Sequence, residues 1–92
     1  MEATVRHILV SDEVLCRTLK EQIALGELTF EKAAEDNSIC PSSSYGGALG
    51  KFGPGRMVAE FDKVMFNDEV GVVHGPVKTQ FGYHLIEMTE RT

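Results

Sequence analysis

The chain has 92 residues, a mass of 10.1 kDa and a formal net charge of −5 at pH 7. This length predicts one domain over residues 1–92, and the hydrophobic fraction of 42% is typical of a globular protein rather than a disordered one. The acidic balance argues against a nucleic-acid or anionic-membrane partner, because both need clustered positive charge.

The two cysteines, Cys16 and Cys40, are too few for the disulfide framework on which small secreted domains usually depend. The chain begins Met-Glu-Ala without an apolar signal segment, and no run approaches the roughly 18 apolar residues of a membrane span. We therefore expect a monomer in a reducing, cytoplasmic compartment with no membrane partner.

The first half of the chain predicts a strand followed by two helices. Residues 4–10 are rich in β-branched side chains and alternate, which predicts a strand buried on both faces. Ser11 or Asp12 can cap a helix whose apolar residues recur through Ile23, and Gly26 is a natural stop. Thr29 can cap a second, shorter helix that ends at about Asp36.

The second half begins with residues 37–55, where glycine, serine and proline interrupt the periodicity. We expect a loop there, with a helical turn opened by Pro41 and a short strand at residues 48–52. Apolar residues at helical spacing then predict a further helix that includes Met57, Phe61, Val64 and Met65. Residues 72–79 and 82–89 predict two strands joined by a turn. This order predicts an α+β domain with helices packed against a small sheet.

Two histidines are the most informative candidates for chemistry. His7 and His84 each lie in a predicted strand and precede aliphatic residues. If the terminal strands are neighbours, the two imidazoles lie side by side and can hydrogen-bond as donor and acceptor. Two separately satisfied core histidines explain the same pattern, and the residues alone leave both interpretations open. We expect His74, in a stretch flanked by glycines, to be exposed.

Cys40 is compatible with a nucleophile, a metal ligand or a buried apolar residue. Thiol catalysis needs an activated thiolate and an oxyanion hole, and no motif indicates the hole. Without a Cys-x-x-Cys or His-Glu-x-x-His pair, a zinc site would require His7, Cys40, His74 and His84 to converge. The phosphate-loop and dinucleotide patterns are also missing, so we expect neither a metal nor a cofactor.

Five ordered segments together resemble the parvulin family of peptidyl-prolyl cis–trans isomerases. They are RHILV at 6–10, SICPS at 38–42, GGALGKF at 46–52, GRMVAEFD at 55–62 and GPVKTQFGYHLI at 75–86. The resemblance runs from about Val5 to Arg91. Five segments at consistent spacing make it specific, whereas any one of them alone would be weak.

The resemblance implies a four-stranded antiparallel sheet surrounded by about four helices, with the two terminal strands adjacent at its centre. That arrangement would bring the two strand histidines together. By position, the family's polar active-site cluster corresponds to His7, Cys40, Thr79 and His84. The pocket that receives the substrate proline corresponds to Leu49, Met57 and Phe61, with Phe81 at its rim.

The resemblance also implies a function, which is isomerisation of Xaa-Pro bonds in proline-containing or unfolded polypeptides, in support of protein folding. Because rotation breaks no covalent bond, we expect Cys40 to be a polar neighbour of the rotating carbonyl rather than a covalent catalyst. One departure is Ala48, where many parvulins carry an acidic residue. We expect that change to affect hydrogen bonding in the loop more than the chemistry.

Charge near the first loop bears on the substrate. Parvulins directed by phosphorylation carry a basic cluster after the first strand, whereas residues 11–13 are Ser-Asp-Glu and would repel a phosphate. Only residues 1–4 precede the first strand, so we expect no attached phosphopeptide-binding domain. We predict a preference for an unphosphorylated, hydrophobic or basic residue before proline. The competing hypotheses are a chaperone-like module that holds such segments with little turnover and a thiol-dependent enzyme that uses Cys40.

Overall fold

In a computed structural model that describes residues 1–92, four strands form one antiparallel sheet in the order β2-β1-β4-β3. The strands are β1 (Ala3–Val10), β2 (Ala48–Phe52), β3 (Val73–Thr79) and β4 (Gly82–Arg91). The α-helices are α1 (Glu13–Ala24), α2 (Phe30–Asn37) and α3 (Ala59–Asn67). The α+β fold with adjacent terminal strands is therefore confirmed. None of the helices is both long and apolar enough to cross a bilayer.

The first two helices begin where the sequence predicts. The Asp12 carboxylate accepts a hydrogen bond from the Leu15 N–H at 3.0 Å, and the Thr29 hydroxyl accepts one from the Lys32 N–H at 3.1 Å. Each bond satisfies an amide in the first turn that has no partner inside the helix. Local side-chain chemistry is therefore sufficient to place both helix starts.

The expected fourth helix is a single 3₁₀ turn, Pro41–Tyr45. Proline at its first position favours the helical start, but Gly46 and Gly47 follow with φ of 66° and 87° and end the helix after five residues. The close approach of Gly47 to the backbone leaves no room for a Cβ, which would overlap the His7 carbonyl oxygen. The domain thus has three α-helices and one 3₁₀ turn.

β1 is buried on both faces, as its composition predicts. Ile8 and Val10 point towards α1 and α2, where they join a cluster with Cys16, Leu19, Phe30, Ala33, Ala34 and Leu85. The opposite face packs against α3 through a second cluster of Ala3, Val5, Phe61, Val64, Met65, Ile86 and Met88. The central strands therefore serve two separate cores.

Strand register and bulges position the residues of the second face. In the β1–β4 pair, His7 lies opposite Ile86 and Leu9 lies opposite His84, so the two histidines are diagonal neighbours on one face. In the β1–β2 pair, Val5 pairs with Gly50 and Arg6 pairs with Ala48, which leaves Leu49 as the extra residue of a β-bulge. Bulges redirect side chains locally, and Leu49 is one of the residues that line the cavity described next.

Candidate functional site

One cavity of about 470 Å³ opens on the face of the sheet that carries the histidines. This volume is within the range of ligand-binding pockets. Most of its lining is apolar, and the residues that form it are His7, Leu9, Ile39, Cys40, Pro41, Leu49, Arg56, Met57, Val58, Phe61, Phe81 and His84. Of the eight residues predicted from the sequence, seven line this cavity, and Thr79 lies behind it.

The two histidines are joined directly in the floor of the cavity. Their Nδ1 atoms are 3.1 Å apart, and the ring planes are inclined by 23°. Both residues are 4% exposed. The Phe61 ring makes T-shaped contacts with both imidazoles, with centroid distances of 5.6 Å to His7 and 5.5 Å to His84. The pair is therefore fixed by a hydrogen bond and by an aromatic neighbour.

Thr79 extends this network to the backbone. Its hydroxyl oxygen lies 2.7 Å from His84 Nε2 and accepts a hydrogen bond from the Phe81 N–H at 3.1 Å. Since the buried hydroxyl must also place its own proton, it donates to His84 Nε2. His84 then carries its proton on Nδ1 and donates to His7 Nδ1, which puts the His7 proton on Nε2. The Phe81 amide thus sets the direction of the whole chain of hydrogen bonds.

Both imidazoles are neutral near pH 7. Burial, and to a smaller extent the nearby His84, together lower the pKa of His7 to about 4. Burial also lowers the pKa of His84, although the charge of Glu60 acts in the opposite direction. A floor of neutral rings keeps the cavity free of a buried imidazolium charge.

Cys40 lines the cavity but is not paired with a base. Both nitrogens of His84 are taken by Thr79 and His7, and the buried His7 Nε2 has no partner. Neither imidazole therefore contacts the thiol in the way that a nucleophile–base pair requires. Ser38 positions the loop instead, since its hydroxyl accepts hydrogen bonds from the Leu9 N–H at 3.0 Å and from the Cys40 N–H at 3.4 Å.

Three of the four residues of the zinc alternative line the cavity, but they are not arranged as a metal site. No group of three or more His, Cys, Asp or Glu side chains is arranged to hold a metal ion. His74 does not line the cavity; it is half-buried rather than exposed, and its Nε2–H donates to the Glu69 carbonyl at 2.7 Å. This contact ties β3 to the loop before it.

The apolar residues of the cavity lie at different depths. Leu49 and Met57 are half-buried at its wall. Phe61 is 0% exposed, so it supports the floor rather than presenting open surface for a proline ring. Phe81 is 58% exposed and lies at the rim. The sequence predicts which of these residues gather, but not how deeply each one is placed.

Five lining residues were not predicted as site residues: Leu9, Ile39, Pro41, Arg56 and Val58. Alternation could have identified Leu9, because it shares a strand face with His7. Ile39 is an apolar residue in a polar loop and is 62% exposed, and that pattern is only a weak indication of a binding surface. The segment before α3 is held by the Gly55 N–H, which donates to Asp62 at 2.9 Å and so fixes the place of Arg56.

The acidic loop at residues 11–13 is not part of the cavity. The Asp12 carboxylate caps α1, and Glu13 forms an ion pair with Arg17 at 2.8 Å. Both charges are therefore used within the helix. The only permanently charged side chain that lines the cavity is that of Arg56.

Comparison with known proteins identifies relatives of this arrangement. Residues 13–90 match the rotamase family, described as the PPIC-type PPIase domain. The chain is 46% identical over 86 residues to the foldase protein PrsA of Geobacillus kaustophilus, a match that covers 92% of this chain and 30% of that protein. This chain thus spans about a third of the length of these curated relatives.

Two solved structures have the same architecture. One is the peptidylprolyl isomerase PrsA from Bacillus anthracis, with a TM-score of 0.94 and 35% identity, covering 99% of this chain and 42% of that chain. The other is NmPin, the parvulin of Nitrosopumilus maritimus, with a TM-score of 0.86 and 36% identity, covering 97% of this chain and 96% of that chain. The resemblance to parvulins found in the sequence is confirmed.

Proposed function

The chain belongs to the PPIC-type peptidyl-prolyl isomerase family, and we propose that it accelerates cis–trans isomerisation of Xaa-Pro bonds in polypeptides and so assists their folding. The observation that carries the proposal is the cavity, an apolar cup whose floor is a hydrogen-bonded pair of neutral histidines. Such a cup can bind a prolyl ring without presenting an ionised group at its floor.

The reaction needs no bond to be broken. Rotation about a peptide bond faces a barrier of ~18–20 kcal/mol, and uncatalysed prolyl isomerisation takes tens of seconds or longer. At the twisted transition state the amide loses its resonance and much of its dipole. A site that removes water from the carbonyl therefore raises the energy of the planar amide more than that of the twisted one.

The lining residues supply orientation as well as desolvation. Leu49 and Met57 form a wall against which the ring can be held, while the rest of the peptide rotates. Each tenfold acceleration corresponds to about 1.4 kcal/mol, so a thousandfold acceleration needs about 4 kcal/mol. Full burial of one large apolar side chain contributes about 1.5–3 kcal/mol, so desolvation of the carbonyl together with such contacts can reach this size.

The histidine pair and Cys40 have supporting roles in this proposal. The pair of His7 and His84 holds the floor rigid through its hydrogen bonds to each other and to Thr79. Cys40 is a polar neighbour of the rotating carbonyl. A covalent step is disfavoured because neither imidazole is hydrogen-bonded to the thiol.

Exchange spectroscopy by NMR on a short peptide with Leu before proline tests the activity. We expect the protein to accelerate cis–trans exchange and Met57→Ala to lower kcat/KM by about tenfold, since a large apolar contact is lost. Leu25→Ala is the matched control, because Leu25 is 64% exposed at the end of α1 and does not line the cavity. Exchange no faster than in buffer would overturn the proposal.

A holding activity without turnover is the second candidate, and the exposed apolar rim favours it. Ile39 and Phe81 are 62% and 58% exposed at the mouth of the cavity, where they could bind unfolded segments. Suppression of aggregation that survives in Met57→Ala but is lost in Phe81→Ser would separate holding from isomerisation. Loss of both activities in Met57→Ala would instead favour a single function.

We further propose that the domain acts as a monomer in a reducing, cytoplasm-like compartment. Cys16 and Cys40 are both free, and burial raises the pKa of the Cys16 thiol to about 11, which suits a thiol that stays reduced and unreactive. Sedimentation of the purified domain and fractionation of cells test the two parts separately.

A further inference from the structure

Arg56 is the feature of the cavity that apolar binding of proline does not use. It is exposed and follows Gly55 at the start of the wall that continues through Met57 and Val58. Every other lining residue is apolar or, like the two histidines, uncharged near pH 7. A single cation at the edge of an apolar site can orient a ligand or select it by charge.

The other three arginines are engaged within the protein. Arg6 pairs with Glu87 and Glu31, and Arg17 pairs with Glu13. Arg91 donates to the carbonyls of Met65 and Asp68. Arg56 makes neither an ion pair nor a side-chain hydrogen bond, so its guanidinium donors remain available to a ligand.

Two acidic residues lie near this wall without pairing with Arg56. Asp62 accepts the Gly55 N–H at 2.9 Å and is thereby used in fixing the segment. Glu60 is exposed, and its charge acts on His84. Neither forms an ion pair with Arg56. Their negative charges therefore reduce the positive potential around the guanidinium, but no direct contact neutralises it.

The wall and the rim are carried by segments that leave the sheet at different ends of β1. Ile39 lies at the end of β1, because its N–H donates to the Leu9 carbonyl at 2.8 Å. Phe81 lies in the β3–β4 turn, next to the strand end where Tyr83 pairs with Val10. The segment that carries Arg56 leaves the sheet at Phe52, which pairs with Ala3 at the opposite end of β1.

We propose that Arg56 is a specificity-determining residue that selects substrates with Asp or Glu next to the proline, with an apolar residue on the other side held by Ile39 and Phe81. This inference rests on the proposed isomerase activity and names its substrate class. The sequence predicts a hydrophobic or basic residue before proline. We keep the hydrophobic preference but replace the basic one with an acidic one, because the acidic loop at residues 11–13 does not line the cavity.

The chemistry suits a carboxylate. A guanidinium presents paired N–H donors that match the two oxygens of a carboxylate, and charge-assisted bonds of this kind are stronger than neutral ones. Exposure limits the gain, since solvent-exposed ion pairs contribute modestly. We expect a preference of about two- to fivefold in kcat/KM for Glu over the uncharged isostere Gln.

The test compares peptides that differ at one flanking position. Exchange spectroscopy is run on peptides with Leu, Glu, Gln, Lys or phosphoserine before proline, and on the same set with the variable residue after proline. For one of the two placements we expect Glu to exceed Gln and Lys to fall below it. The Glu preference should decline towards unity in about 1 M salt, where charges are screened within about 3 Å.

Three variants assign the effect to Arg56. Arg56→Gln should remove the Glu preference while the Leu peptide still turns over, and Arg56→Glu should favour Lys instead. Lys63→Glu is the matched control, because it changes the net charge by the same amount as Arg56→Glu but lies exposed on α3 and does not line the cavity. It should leave the Glu preference in place.

Several outcomes would overturn the assignment. A Glu preference that is absent in the wild-type protein, or that survives in Arg56→Gln, would show that Arg56 does not select the substrate. An equal effect of Lys63→Glu would assign the preference to net charge. Faster turnover of the phosphoserine peptide than of the Glu peptide would identify a phosphate site. Turnover of the Leu peptide without any preference among the charged peptides would refute the role of Arg56 but not the isomerase activity. Failure to accelerate exchange in every peptide would refute the isomerase activity itself.

Discussion

The two faces of the sheet differ in how completely helices cover them. Two helices, α1 and α2, close one face over a cluster centred on Ile8, Phe30 and Leu85. The other face has only α3, which packs on Val5 and Ile86 and leaves the strand surface around the histidines to line the cavity. The central strands β1 and β4 contribute to both faces.

This difference separates stability from binding within a small domain. The closed face buries apolar side chains without leaving a cavity, so its residues contribute mainly to the free energy of unfolding. The open face contributes to both stability and binding, because Phe61 is part of its core cluster and also supports the floor of the cavity. Substitutions on the two faces are therefore expected to have different signatures.

The largest expected effect comes from a matched pair of buried phenylalanines. Phe30→Ala on the closed face and Phe61→Ala on the open face should each lower the free energy of unfolding by about 3–5 kcal/mol, since both rings are buried. Only Phe61→Ala should also lower kcat/KM per folded molecule. Urea denaturation and exchange spectroscopy below the unfolding transition measure the two quantities. Equal losses of kcat/KM in both variants would contradict the separation of the faces.

The second effect is a loss of stability in acid that originates on the open face. Because the folded pKa of His7 is about 4 and its unfolded value is 6.5, the unfolded chain binds more protons between these pH values. The contribution of His7 is complete above pH 6.5 and decreases as the pH falls, reaching a loss of about 3 kcal/mol near pH 4. His84 acts in the same direction.

Urea denaturation at a series of pH values measures this loss. His7→Leu should reduce the slope of stability against pH over that window, while the contribution of the carboxyl groups stays the same in both proteins. A slope that is unchanged in His7→Leu would contradict the burial of a neutral histidine at this position.

The smallest expected effect concerns Thr79. Thr79→Val should lower the free energy of unfolding by about 1–3 kcal/mol, because the Phe81 amide and His84 Nε2 both lose their partner in a buried site. Nitrogen-15 NMR of the imidazoles should show the His84 proton on Nδ1 in the wild-type protein. Thr79→Ser retains the hydroxyl and should preserve this tautomer. A wild-type His84 protonated on Nε2 would reverse the proposed direction of the hydrogen bonds.

Much of the fold could be predicted because its signals are local. Asp12 and Thr29 mark two helix starts by side-chain capping, and alternation along β1 predicts a strand buried on both faces. The expected fourth helix was wrong because the left-handed glycines after Pro41–Tyr45 end that segment after one turn. The count of about four helices came from the family resemblance, whereas the helical turn that Pro41 predicts is confirmed.

The site depends on non-local geometry that the sequence does not contain. Placing His7 beside His84 requires the strand order and a register offset by two residues, so the residues alone leave a second interpretation open and only the family resemblance favours the pair. The bulge at Leu49 and the complete burial of Phe61 depend on pairing and packing across the sheet. Arg56 lies in the GRMVAEFD segment that contributes to the family resemblance, but its residue type does not by itself predict a place in the cavity.

In the proposed mechanism an apolar cavity, and not a reactive thiol, accelerates rotation of the bond. Exchange spectroscopy on the Leu-Pro peptide with Cys40→Ser tests it most directly, with circular dichroism to show that the variant is folded. We predict that Cys40→Ser retains more than about a tenth of the wild-type kcat/KM, which corresponds to a loss below about 1.4 kcal/mol. Complete loss of activity in a folded Cys40→Ser protein would contradict the account and favour covalent catalysis.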